Sequence, residues 1–169
     1  MPAGSTYTPI ATTTLGSAAA SVSFTSLGSY TDIILVVSGN TSNNVTDLQI
    51  QFNSDTGANY SYTALGYNTT TGSSSSRESS VTYMRFTTNS SFNTSGQSNV
   101  ILNFQNLMNT TTYKTVIGRG NNGAYGVNAA VGLWRSTSAV TSIQVNTHNL
   151  ATRTFSIGST FTLYGIAAA

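Results

Sequence analysis

Cysteine is missing from this chain of 169 residues, which removes disulfides, thiolate metal sites and cysteine nucleophiles from consideration. Charge is scarce as well: six basic and four acidic side chains and one histidine leave a formal charge of +2. Arg77, Arg85, Lys114, Arg119, Arg135 and Arg153 stand singly along the sequence. They form no clustered stripe of the kind that neutralises phosphates, so nucleic acid is not an expected partner. No apolar run approaches the ~20 residues of a membrane-spanning helix, and Met1 to Tyr7 lacks the basic segment and apolar stretch of a signal peptide. The expectation is a soluble chain with no membrane partner.

So few ionisable groups leave little for acid-base chemistry. The carboxylates are Asp32, Asp47, Asp55 and Glu78, and no spacing among them recommends a glycosidase pair. His148 has no nucleophile or orienting carboxylate near it in sequence, and reads as a polar turn residue. The run Asn53 to Asn59 offers oxygen ligands, yet one carboxylate, Asp55, is too little charge for calcium, and an Asx-type turn accounts for the same residues. Gly118 to Gly123 lacks the Lys-Ser/Thr of a phosphate-binding loop and reads as a hairpin turn. No catalytic residue, no metal site and no cofactor is expected, and the chain is read as not an enzyme.

What the sequence has in plenty is neutral polar side chain: 25 Ser, 29 Thr and 17 Asn. A surface of hydroxyls and amides loses less when a partner covers it than a surface of ions does. Seven Phe and nine Tyr, with 38% hydrophobic residues, separate the chain from disordered sequences, which are poor in aromatics and rich in charge. At this length roughly 70% of the unfolded surface can be removed from water. One folded domain, 1–169, is the expectation.

Strand patterns recur throughout. Val22 and Phe24 alternate with Ser and Thr between Ser21 and Leu27; Leu48, Ile50 and Phe52 alternate with polar residues between Asp47 and Asn53. Ile33 to Val37 is a continuous apolar run within Asp32 to Ser38, read as a strand covered on both faces. Further strands are expected at Tyr60 to Leu65, Val81 to Thr87, Asn99 to Gln105, Tyr113 to Ile117, Val127 to Trp134, Val140 to Thr147 and Thr160 to Ile166. Residues 1–20 read as an N-terminal arm or a first strand, and 67–80 and 89–98 as exposed polar loops. With no repeat and no helical segment, the pattern predicts an all-β, jelly-roll-like antiparallel β-sandwich, with Ile33–Val37 and the final strand placed centrally.

Four stretches taken together, Tyr30 to Gly39, Phe52 to Thr63, Gly132-Leu133-Trp134 and Gly158 to Ile166, resemble a family of small structural proteins of tailed bacteriophages, including cyanophages. Some of that family decorate or cement the capsid, and related domains occur in tail fibres. The resemblance implies a scaffold in a virion, assembled in the host cytoplasm, with no active site. On this reading the chain is a capsid cement or decoration protein, its partners being itself, as a homotrimer, and the major capsid protein. The neutral surface predicts that self-association survives salt. The competing reading is a tail-fibre or tail-tip domain that binds a host surface glycan through aromatic side chains. Candidate contact residues are Tyr67, Phe92, Tyr125 and Trp134, as aromatics beside polar segments, and Ile166, which opens an apolar Ile-Ala-Ala-Ala ending.

Overall fold

A computed structural model describes residues 6–43, 46–86, 92–148, 150 and 152–166. Twelve strands and no helix appear among them: β1 (Thr8–Thr14), β2 (Ser21–Phe24), β3 (Asp32–Gly39), β4 (Leu48–Phe52), β5 (Tyr60–Asn68), β6 (Gly72–Val81), β7 (Met84–Arg85), β8 (Ser98–Gln105), β9 (Lys114–Asn122), β10 (Gly126–Trp134), β11 (Ile143–Thr147) and β12 (Thr160–Ile166). They build two antiparallel sheets. The large one runs β1-β12-β3-β8-β9-β10-β5-β6, and the small one β2-β11-β4-β7.

The pairing is nested. β5 pairs β6, β4 pairs β7, β3 pairs β8, β2 pairs β11 and β1 pairs β12, and successive pairs alternate between the large and small sheets. That is the winding of a jelly roll, a long folded-over ribbon wrapped around one core. The hairpin β9–β10 is an insertion into this winding. It leaves from β8 and lies between β8 and β5, widening the large sheet to eight strands while the small sheet keeps four.

The core lies between the sheets. Val22, Phe24, Leu48, Ile50 and Phe52 alternate inward as their period-two pattern requires. Ile33, Leu35 and Val37 are fully buried, whereas Ile34 and Val36 on the other side of β3 are only half-buried. The continuous apolar run is therefore covered on one face, and its second face belongs to the outside of the large sheet. β3 and β12 are interior strands, but β12 lies next to the edge strand β1 rather than centrally, and residues 8–14 supply the first strand.

The two segments expected as exposed loops are built differently. Of 67–80, Tyr67 and Asn68 end β5 and Gly72 onward is β6. The turn between them is closed by the Asn68 side chain, which accepts hydrogen bonds from the backbone N–H of Thr70 at 2.8 Å and Thr71 at 2.7 Å. β6 has no apolar face because it is an edge strand: Ser73, Ser75, Arg77 and Ser79 point to water, and Ser74, Ser76 and Glu78 are half-buried on the other side. Of 89–98, residues 89–91 lie outside the described residues. Phe92 is fully buried in edge-on contact with Phe155 at 5.7 Å, and Phe155 meets Phe161 at 5.0 Å. Its polar neighbours in sequence concealed a core side chain.

Candidate interaction face

Beyond the end of β9, β10 and β5 that buries Val116, Trp134, Tyr60 and Tyr62, the usual order of a sandwich strand is reversed. Gly118, Gly120, Asn128, Ala130, Gly132, Ala64 and Gly66 point inward, while Ile117, Val127, Val131, Leu65 and Tyr67 point out. β7 explains the small inner residues, since Met84 and Phe86 reach under the inserted hairpin. A Cβ at Gly118 would sit 2.6 Å from the Phe86 ring and 2.5 Å from Leu102, and one at Gly132 would sit 2.6 Å from the Met84 sulfur. Only glycine fits there without repacking.

The outward residues form a continuous patch. Cross-strand register sets Ile117, Val131 and Thr63 side by side, then Arg119, Ala129 and Leu65, then Asn121, Val127 and Tyr67. Leu65 is 63% exposed, Val127 57%, Tyr67 54% and Ile117 and Val131 50%. β6 extends these rows with Arg77, Ser75 and Ser73. Two shallow depressions lie on this surface, one at Thr63, Arg77, Ile117 and Val131, the other at Leu65, Tyr67, Ser73 and Val127. Neighbouring strands lie ~4.8 Å apart and same-face residues ~6.8 Å apart, so each outward position covers about 33 Å². Three rows across β9, β10, β5 and β6 give about 400 Å², and carried across all eight strands of the sheet about 800 Å², the share one partner contributes to a standard protein interface.

No known protein family, curated protein or solved structure matches this chain.

The charges are distributed unevenly around the patch. Each carboxylate is engaged within the chain. Asp32 accepts from the backbone N–H of Asn106 at 2.6 Å. Arg85 lies 3.6 Å from Asp47 and 3.3 Å from Glu78, over the Tyr62 ring, and the Tyr62 hydroxyl donates to Glu78. Burial and that bond to Glu78 push the Tyr62 hydroxyl upward; for Arg85, burial acts downward but Asp47 and Tyr62 outweigh it and raise the guanidinium. Asp55 accepts from Trp134 Nε1 at 2.7 Å, Asn59 Nδ2 at 3.0 Å and the Gly57 N–H at 2.8 Å. Of the cations, Lys114 is fully buried and donates to the carbonyls of Thr112 and Thr137, while Arg135 donates to those of Ala58 and Tyr60. Arg77 and Arg119 are exposed on the patch, and the side chain of neither makes a hydrogen bond or ion pair with another described residue.

Of the contact residues expected from sequence, Tyr67 lies on this face. Tyr125 is half-buried in the β9–β10 turn, and Ile166 is half-buried at the end of β12 opposite Asp32. Ala167 to Ala169 lie outside the described residues. Phe92 and Trp134 are corrections: both are core, and neither has surface to offer a partner. Trp134 is 3% exposed, edge-on to Phe52 at 5.5 Å and stacked with Tyr60 at 6.3 Å. The members missed were Leu65, Ile117, Val127 and Val131, whose signal was the alternation of Gly, Asn and Ala with larger aliphatics in β9 and β10.

The residues weighed for chemistry are held by the chain itself. In the Asn53–Asn59 turn the Asn53 side chain accepts from the N–H of Thr141 at 2.8 Å and donates to the Ala139 carbonyl at 2.8 Å. His148 Nδ1 lies 2.8 Å from the Gln49 amide, and its ring meets Tyr83 edge-on. Among the described residues no three carboxylate or imidazole side chains gather at one point. Gly118 and Gly120 are inside β9, and only Gly123 of that run enters the turn.

Proposed function

We propose that the chain is a structural protein of a phage particle, a capsid cement or decoration protein that binds over joints between major capsid subunits, self-associates as a homotrimer, and stabilises the head without catalysis. The observation that carries this reading is the outward apolar patch of β9, β10 and β5, on a sheet whose outer face is large enough for a standard interface. The virion setting rests on the likeness of Tyr30–Gly39, Phe52–Thr63, Gly132–Trp134 and Gly158–Ile166 to phage structural proteins. The mechanism is burial repeated around a shell: each copy covers apolar surface on its neighbours, and the sum resists expansion of the head.

Electron microscopy of the intact particle tests the placement, with density for this jelly roll expected on the head. Stripping the protein from particles and heating both forms tests the role, and the stripped heads are expected to rupture at a lower temperature. Density at the tail tip, with equal rupture temperatures, would instead favour the glycan-binding reading. Exposed Tyr67 beside the depression at Leu65 and Ser73 is the feature that supports that second reading.

A further inference from the structure

We infer that the β9–β10–β5–β6 half of the outer face docks a partner protein surface that is aliphatic and carries carboxylates, and that this partner is not a second copy of the chain. The inference rests on the cement reading for the partner's place in a shell; its chemistry comes from the face itself.

Arg119 and Arg77 bracket the aliphatic patch diagonally. Arg119 shares a row with Ala129 and Leu65, and Arg77 shares the next with Val131 and Ile117. Three strand spacings and one same-face step separate them, so their backbone positions lie about 16 Å apart. Covering the aliphatic residues removes water from both guanidinium groups, a loss that carboxylates on the other side meet best because they pair the charge as well as the donors. A second copy stacked through this face has no carboxylate to offer. The face carries none over these four strands, Glu78 points to the other side of β6 and is bonded to Tyr62 and Arg85, and the Asp32 carboxylate, on the far half of the sheet, is taken by Asn106. Self-stacking would therefore desolvate four arginines against neutral surface. An acidic, aliphatic surface matches the patch in both respects, and self-association falls to other parts of the molecule.

Two measurements on the full chain test this. The first uses stripped heads: wild type is expected to rebind, R77Q and R119Q each to bind roughly tenfold more weakly, and R77E/R119E to fail, while sedimentation finds the same oligomer for all. Rebinding of every variant at wild-type affinity would overturn the face and leave the cement reading standing; failure of wild type to rebind would count against that reading. The second is independent of any virion and uses octanoate below its micelle concentration, with octylammonium as the control. Methyl NMR shifts at Leu65, Ile117, Val127 and Val131 are expected with octanoate, much weaker with octylammonium, and lost in R77Q/R119Q. Equal shifts with both amphiphiles, or none with octanoate, would sink the acidic-partner assignment. So would loss of the oligomer in R77E/R119E, which would make the occupant a second copy. Shifts confined to Tyr67 on adding host-surface glycan, with octanoate inert, would overturn it in favour of a sugar.

Discussion

At the scale of single residues, Asp55 shows how a loop that resembles a cation site is put to structural use. Burial alone would raise its carboxyl, but bonds from Trp134, Asn59 and the Gly57 N–H outweigh that and hold it below its ordinary 3.8. A carboxyl whose folded pKa is depressed adds stability at neutral pH, and that stability is lost as pH falls through the folded value. Asp55→Asn is expected to cost about 1 kcal/mol at pH 7, the modest end for a bond to a charged acceptor because the turn is half-open to water. Denaturant melts of the two proteins should then converge as the pH drops below 3.8; a gap that persists in acid would mean that the charge is not what anchors Trp134. The turn itself was legible, since Asn, Asp and Gly favour it for backbone reasons. That its carboxylate reaches the indole 79 positions away was not, because no local pattern encodes a contact that depends on the register of β4, β5 and β10.

Among the elements, strands with one apolar face were readable, and those without one were not. β2 and β4 alternate cleanly, and with β8 they appear close to their expected limits. β6 escaped notice because serines line both its faces and its stability comes from β5 on one side and Arg85 beneath it. The ion pairs at Arg85 link β6 to the small sheet through Glu78 and Asp47, with side-chain exposures of 20%, 40% and 14% for Arg85, Glu78 and Asp47. Arg85→Met would leave two carboxylates facing one another across that link. The expected cost is about 2 kcal/mol, below the 3–5 of a fully buried pair because water reaches Glu78. Hydrogen exchange should quicken in β6 while β9 and β10 keep their protection; uniform loosening would show that the pair does not act locally. The inverted strands β9, β10 and β5 were half legible. Their glycines were visible, but the packing of Met84 and Phe86 beneath Gly118 and Gly132, which sets those glycines inside and the aliphatics outside, was not.

At the scale of the whole molecule, the nested pairing sets the order in which the chain can come together. Thr8 lies opposite Gly165, and β12 is inserted between β1 and β3, so the large sheet has a vacant lane until Thr160–Ile166 arrives. Closing such distant pairs demands loop entropy before any contact rewards it, which places folding in the range of milliseconds to seconds expected of sandwiches. Stopped-flow refolding faster than a millisecond would contradict this. On the ribosome the consequence is sharper. Until β12 leaves the exit tunnel, the flanks of β1 and β3 stay unsatisfied, and the nascent chain remains open to proteases and to its neighbours. Completion of the fold then waits on one seven-residue strand, and a translation pause that holds that strand inside the tunnel should lower the yield of folded protein far more than one that comes after the strand has emerged.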